Sequence, residues 1–245
     1  MQARSLLVLV MGIVVIAGTA AADLKVVKMA HTDGFSAMGR ETPPSDTEQV
    51  TWIGTDRMRM DQGQQSTIIR LDLQKLFILN HDKKTFHTLD LPVDLKQLLP
   101  PGMADQMLAM MTFDVTVTPT DETKMIGDWK ARRFDVSMVS KMATATMTMW
   151  ATKDTSLDQE AFNKMYEHLN SMNPGMQDMA EQMRKIEGLV IEQDTVTTMN
   201  MMGDVTIKRS EKTTSIEKLS PPDGAYDPPA DYADKPFDFM ESMQK

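Results

Sequence analysis

The sequence predicts a mainly β protein of the α+β type: a curved antiparallel sheet, or incomplete β-barrel, of about eleven strands covered by two helical segments. Three observations lead to this fold class. Strand-like segments recur about every ten residues between turn signals, and several of them alternate apolar with polar residues. Two other segments instead carry apolar residues at intervals of three or four.

The first group of strands is predicted between residues 23 and 91. Turn signals such as Asp33-Gly34, Gln62-Gly63 and the polar run 81–84 separate segments rich in β-branched and apolar residues. Short strands joined by tight turns are typical of an antiparallel meander. The predicted strands are Leu24–Thr32, Thr47–Ile53, Arg57–Asp61, Ser66–Asp72, Lys75–Asn80 and Thr85–Leu91.

The second group of strands has one apolar and one polar face. Met147 and Met149 alternate with Thr146 and Thr148, and a sheet with this pattern needs a cover on its apolar side only. A strand is expected around Phe113, Val115 and Val117, and the others are Trp129–Val139, Ala143–Lys153, Leu189–Met201 and Asp204–Leu219.

Residues 95–111 and 157–187 are the predicted helical covers. Methionines recur at helical spacing in both, and in the second they share a face with Phe162, Leu169 and Ile186. Pro174 suits the first position of a helix, and Gly188 suits a helix end.

The two ends of the chain differ from the sheet domain, which spans residues 23–219. Residues 1–22 carry a positive charge, an apolar run and the small residues Ala20 and Ala22, which predicts a secretory signal peptide cleaved before Asp23. We therefore expect a soluble periplasmic protein with no transmembrane segment after cleavage. Residues 220–245 are rich in proline and predict an extended tail.

Composition argues against several classes of function. The net charge of −9 is unfavourable for nucleic-acid binding, and the lack of cysteine excludes disulfides, a lipidated N-terminus and thiolate chemistry. We find neither a nucleophile elbow nor a phosphate-binding glycine loop, and the four histidines have no metal-ligand spacing. We expect a non-enzymatic protein that needs no cofactor.

The 25 methionines of the 245 residues are the unusual feature. Methionine fills irregular cores, but it also lines deformable surfaces for hydrophobic ligands, and its thioether binds Cu(I) or Ag(I). A copper site would use Met199, Met201 and Met202. The predicted residues of a hydrophobic ligand site are Met103, Met107, Met110, Met172, Met176, Met179 and Met183, with Trp52 and Trp150 at its wall.

Four segments carry a resemblance to known proteins. They are T-E-Q-V-T-W-I-G-T-D-R-M-R-M-D from Thr47, S-T-I-I-R-L-D from Ser66, K-L-F-I-L-N-H-D-K-K-T-F-H-T-L from Lys75 and I-G-D-W-K-A-R-R-F-D-V from Ile126. Together they resemble an uncharacterised family of periplasmic bacterial proteins with a domain of unknown function. They are more distantly similar to the LolA/LolB-type lipoprotein-carrier superfamily.

The resemblance implies an incomplete β-barrel whose concave apolar face is covered by helices, which in the carriers holds acyl chains. The leading hypothesis is a hydrophobic or lipid-like ligand between sheet and helices. The alternatives are a Cu(I)/Ag(I)-binding protein and an envelope structural or interaction protein without a small ligand. Protein partners are not predicted.

Overall fold

Most of the chain folds as one open sheet with two helices against it. The computed structural model describes residues 22–37, 39–94, 98, 112–170, 174–200 and 205–237. Twelve strands lie in the order β14-β8-β7-β6-β5-β4-β1-β13-β12-β11-β10-β9, and β2 and β3 form a separate pair. The sheet is not closed into a barrel. No described helix has the length and apolar character needed to cross a membrane.

The described residues form fourteen strands: β1 (Asp23–Thr32), β2 (Phe35–Ala37), β3 (Arg40–Thr42), β4 (Ser45–Ile53), β5 (Arg57–Gln62), β6 (Gln65–Arg70), β7 (Lys75–Asn80), β8 (Thr85–Asp90), β9 (Asp114–Ile126), β10 (Trp129–Val139), β11 (Ala143–Thr152), β12 (Leu189–Met199), β13 (Val205–Leu219) and β14 (Ala233–Asp234). The helices are α1 (Gln159–Asn170) and α2 (Pro174–Met183).

Two antiparallel meanders share the strand β1. Strands β4 to β8 form the first meander, and β9 to β13 form the second. On one edge β1 pairs with β4, placing Val26 opposite Thr51, and on the other it pairs with β13, placing Val26 opposite Ile216. The first and last long strands of the domain therefore join the two meanders into one sheet.

The eleven predicted strands are confirmed, with ends that differ by a few residues. The main sheet has one strand more than predicted, β14, and because β14 pairs with β8 in parallel the sheet is mixed and not wholly antiparallel. The separate pair β2 and β3 was also missed, and all three of these strands have only two or three residues. Such short strands contain too few residues to show a period of two. Segment 157–187 is confirmed as α1 and α2, and α2 begins at Pro174. Segment 95–111, apart from Leu98, lies outside the described residues.

The helices cover one face of the sheet, which we call the helix face and which carries Val26 and Met149. Met165 of α1 is 1% exposed within a core cluster that contains Val26 and Leu76. Across the second meander, α2 and the turn after it pack Met179, Met183 and Ile186 onto a second cluster. Gln182 Oε1 of α2 accepts a hydrogen bond from the backbone N–H of Val117 on edge strand β9 (3.2 Å).

The opposite face, which we call the outer face, differs between the two meanders. On the second meander it carries Thr116, Thr146 and Thr148, as the alternating pattern predicts. On the first meander it is apolar as well, because Trp52, Ile68 and Leu79 are buried there. The one-sided pattern of the second meander therefore does not extend to the first meander, which has a buried cluster on each face.

The C-terminal tail supplies the second cover. Its Ala225 and Tyr226 are buried in the cluster that contains Trp52. The guanidinium of Arg59 donates to the Ala225 carbonyl (2.8 Å), and that of Arg70 donates to Asp227 (2.6 Å). The tail then adds β14 in parallel to the edge strand β8. Residues 220–237 of the tail lie along the sheet, and backbone hydrogen bonds form turns at 222–225, 224–227 and 229–232.

A hydrogen bond joins Tyr226 of the tail to Asp23, the first residue of β1. The Tyr226 hydroxyl donates to Asp23 Oδ2 (2.6 Å), and both residues are buried. Arg57 Nε lies 3.7 Å from the same oxygen, and its guanidinium lies 4.7 Å from the centre of the Tyr226 ring. Burial, together with the Asp23 carboxylate, raises the pKa of Tyr226 well above its usual value.

Replacing Tyr226 with Phe should lower the free energy of unfolding by about 1–3 kcal/mol, because a buried carboxylate loses a donor. Tyr226→Ala should cost about 3–5 kcal/mol, because it also removes the ring. Urea unfolding measures both losses. The control is Asp23→Ala: if Tyr226→Phe costs as much in that background as in the native one, the hydrogen bond to Asp23 is not the cause.

Candidate functional site

A cavity of about 360 Å³ lies between the helix face of the sheet and the two helices. Its size is within the range of roughly 300–1,000 Å³ typical of small-molecule sites. The first meander and β1 contribute residues such as Ile53, Met58 and Val26. The second meander contributes Met149 and Val190. The cavity therefore lies at the seam where β1 and β13 join the meanders.

The helical side of the cavity is formed by α1, α2 and the turn that follows. Phe162 comes from α1, Ala180 and Met183 come from α2, and Ile186 comes from the turn. Unbranched methionine side chains adapt to ligands of different shape, so walls of this kind suit a hydrophobic ligand.

The sheet wall changes from apolar to polar along the strands. Residues paired across β5, β4 and β1 share a face, so they form cross-strand layers. The first layer is Met58-Ile53-Leu24, the second is Met60-Thr51-Val26, and the third is Gln62-Gln49-Lys28. A molecule lying along these strands would therefore meet hydrocarbon at one end and polar groups at the other.

Lys28 is the charged group of the third layer. Burial lowers the pKa of Lys28, and the negative charge of Glu211 offsets part of this effect. Glu211 already pairs with Arg209 (2.9 Å). The Lys28 ammonium forms no hydrogen bond or ion pair with any residue in the described ranges. Its cross-strand neighbour Thr213 is 3% exposed, and the Thr213 hydroxyl oxygen also has no hydrogen-bond partner among the described residues.

Two glutamines of the cavity wall lie beside methionine sulfurs. The Gln49 amide donates to the thioether sulfur of Met60. The Gln193 amide lies 3.8 Å from the sulfur of Met147, and it donates to the hydroxyl of Thr195 (3.0 Å). Thioether sulfur is a weak acceptor, so a ligand oxygen would be a stronger partner for the Gln49 amide.

The charged residues that line the cavity are all cations. Lys28 lies on the sheet side and Arg184 follows α2, while the described lining includes neither Asp nor Glu. This is notable in a chain of net charge −9. Across the described residues, no group of three His, Asp or Glu side chains is placed to hold a metal ion.

Gly188 allows the chain to close one end of the cavity. Its φ is 101°, and a Cβ at this position would lie 2.2 Å from the Thr152 carbonyl oxygen. The sequence suggested that Gly188 ends the second helix, but α2 ends five residues earlier at Met183. Its role is instead this close approach to β11, with its N–H donating to Gln159 Oε1 of α1 (3.0 Å).

Two of the predicted methionines, Met179 and Met183, can be placed relative to this site. Met183 lines the cavity, and Met179 packs beside it against the second core cluster. The side chain of Met176 lies outside the described part of the chain, as does the whole of Met172. Met103, Met107 and Met110 are also outside the described residues.

The two predicted tryptophans lie away from the cavity lining. Trp52 is buried on the outer face beneath the tail, where Lys25 Nζ lies 5.6 Å from its ring. Trp150 is half-buried, and Lys124 Nζ lies 4.2 Å from its ring. The cavity residues that sequence analysis missed, such as Lys28, Gln49 and Met58, lie on separate strands. The alternation of apolar and polar residues along each strand indicates which residues share a face. It does not identify which strands become neighbours in the sheet.

A polar chain on the outer face was also missed. Ser66 Oγ donates to Asp61 and lies 2.6 Å from His81 Nε2, while Tyr232 Oη of the tail lies 2.7 Å from His81 Nδ1. Ser66 is 1% exposed, and its hydroxyl proton is directed to the carboxylate. This arrangement buries the serine and connects the tail to β5, β6 and the turn after β7.

Comparison with solved structures found similarity at the level of the backbone. No protein-family model matches the chain, and no curated protein matches it. The solved structure of PNGF-II in space group C2 is similar over 89% of this chain and 32% of that chain, at 12% identity and a TM-score of 0.40. The chain therefore spans about a third of that protein's length.

Lys28→Met should stabilise the ligand-free protein at neutral pH, because it removes a half-buried charge whose pKa is lowered by burial. A lowered pKa means that the unfolded chain binds more protons between the folded pKa and 10.5, so native stability rises with pH there. The advantage of Lys28→Met should therefore shrink as the pH rises towards 10.5. Urea unfolding of both proteins over pH 7–10 tests this; a variant less stable than the native protein would contradict it.

Proposed function

We propose that this protein is a non-enzymatic binding protein that holds a hydrophobic or lipid-like ligand between its sheet and its helices. The observation that carries the proposal is the cavity of about 360 Å³, with Ile53, Met58, Met149 and Phe162 among its apolar walls. An apolar cavity with a few polar groups is the usual form of a small-molecule site.

The proposed architecture is an incomplete β-barrel like that of the LolA/LolB-type carriers. Two features support it. The twelve-stranded sheet is open, with β14 at one edge and β9 at the other, and α1 and α2 pack against one of its faces. Register shifts that leave extra residues in β13, β9 and β12 also support it, because bulges increase the bend and twist of a strand. The relation to this superfamily is part of the proposal.

The proposed location is the periplasm, reached through a cleaved signal peptide. Support comes from the position of Asp23, which is the first residue of β1 and would become the first residue after cleavage. The competing copper hypothesis depends on Met199, Met201 and Met202, of which only Met199 lies in the described residues. The apolar lining of the cavity supports the hydrophobic ligand.

Filling the cavity should weaken ligand binding. Ala180 is buried on α2 and lines the cavity, so Ala180→Phe should lower the affinity for a hydrophobic fluorescent dye by about tenfold or more. Met183→Ala should have the opposite effect on bulkier dyes, because it enlarges the space. Circular dichroism confirms that each variant is folded.

Met125→Phe is the matched control, since Met125 is 63% exposed and should leave dye binding unchanged. Native mass spectrometry of the full protein, purified from the compartment it occupies, identifies any lipid that copurifies. Equal dye affinity for the native protein and Ala180→Phe, with no copurifying lipid, would overturn the proposal.

Export should be visible in the mass of the purified protein. Expressed in a Gram-negative bacterium, the full-length sequence should give a periplasmic product that starts at Asp23. Ala22→Leu should block cleavage, because signal peptidase requires small residues at this position. N-terminal sequencing and intact mass measure both results, and an uncleaved native protein in the cytoplasm would contradict export.

A further inference from the structure

We propose that the ligand is a single-chain amphiphile with an anionic headgroup, which binds at Lys28 while the hydrocarbon chain extends towards Ile53 and Met58. This inference rests on the proposed function, because it specifies the ligand of the same cavity. Three independent observations support it: the direction of the polarity gradient, the charge balance at Lys28 and the unused hydrogen-bonding capacity beside it.

The polarity gradient sets the orientation of the ligand. The apolar layer Met58-Ile53-Leu24 and the polar layer Gln62-Gln49-Lys28 are two layers apart on the same three strands. Ile53 and Met58 line the cavity at one end, and Gln49 and Lys28 line it at the other. A ligand that is apolar throughout would leave Lys28 and Gln49 desolvated without a partner, which is unfavourable. An amphiphile satisfies both ends.

The charge balance selects an anion. Lys28, Arg209 and Glu211 lie on neighbouring strands, and the Arg209–Glu211 pair leaves one positive charge uncompensated. The described lining of the cavity includes no carboxylate that would neutralise it. One carboxylate or phosphate headgroup would restore neutrality, whereas a cationic headgroup would add to the desolvated charge of Lys28.

The hydrogen-bonding groups near Lys28 also fit an oxygen-rich headgroup. Lys28 has three N–H donors, and among the described residues the Gln49 amide donates to a thioether sulfur alone. The hydroxyl of Thr213, which is paired with Lys28 across β1 and β13, is buried without a partner in the described residues. Carboxylate and phosphate oxygens accept several hydrogen bonds, and bonds to charged groups are among the stronger ones.

Arg184 lies at a different opening. A neighbouring cleft of about 480 Å³ shares Arg184 and Asn163 with the cavity, and it also contains Glu187, which pairs with Lys153. That opening therefore contains a carboxylate and two cations, whereas the described lining at the Lys28 end contains no carboxylate. This difference allows the two ends to be tested separately.

The test compares ligands with the same twelve-carbon chain and different headgroups, using full-length protein freed of lipid. Laurate, dodecyl phosphate, dodecanol and dodecyltrimethylammonium are titrated below their micelle concentrations, by calorimetry or by dye displacement. We expect at least one anion to bind about tenfold or more tightly than dodecanol, and the cation to bind more weakly still. Laurate and dodecyl phosphate together distinguish a carboxylate from a phosphate headgroup.

Lys28→Met should abolish the preference for the anion while dodecanol still binds. Lys25→Met is the matched control, since Lys25 is on the same strand but on the outer face, next to Trp52. It changes the net charge equally and should retain the preference. Arg184→Met should retain it as well.

Three results would overturn the inference. They are equal binding of dodecanol and both anions, equal effects of Lys28→Met and Lys25→Met, and loss of the preference in Arg184→Met in place of Lys28→Met. Binding of dodecanol with no headgroup preference would leave the proposed hydrophobic site standing. If none of the four ligands binds, the proposed function fails along with the inference.

Discussion

The pairing of β1 with β13 is the interaction on which the rest of the structure depends. It brings together residues nearly at opposite ends of the domain, such as Leu24 and Lys218, and it joins one meander to the other. Closing so long a loop has an entropic cost, which the core cluster around Val26, Ile191 and Met165 helps to offset. Without the pairing of β1 with β13, the two meanders would not share one helix face, and the cavity between them would not form.

The cavity combines packing with a local loss of stability. Its apolar walls bury hydrocarbon in the usual way, but Lys28 and Thr213 place polar groups on the same face with little compensation. A fold selected only for stability would place aliphatic residues at such positions. Uncompensated polar groups around an apolar space are often found at binding sites, where the ligand supplies the missing partners.

The tail gives the first meander a second cover and makes its outer face a core. Tyr226 reaches Asp23, Tyr232 reaches His81, and β14 protects the edge strand β8. An unprotected edge strand is a site for unwanted pairing, so a short parallel strand that occupies it also limits self-association. The tail contacts β4 and β8, which are the first and last strands of this meander. It thereby stabilises the part of the sheet that contributes Ile53 and Met58 to the cavity wall.

The sequence by itself determined the mainly β class, the eleven longer strands, the two helices within 157–187 and the apolar face of the second meander. These follow from local periodicity, which is visible whenever a segment is long enough to repeat. The short strands β2, β3 and β14 and the two-sided burial of the first meander were decided by contacts between distant segments. The same is true of the cavity: Met183 was predicted from helical spacing, whereas Lys28 and Gln49 meet only through the register of β1 and β4. Periodicity specifies which residues share a face, but strand order and register decide which faces and charges meet.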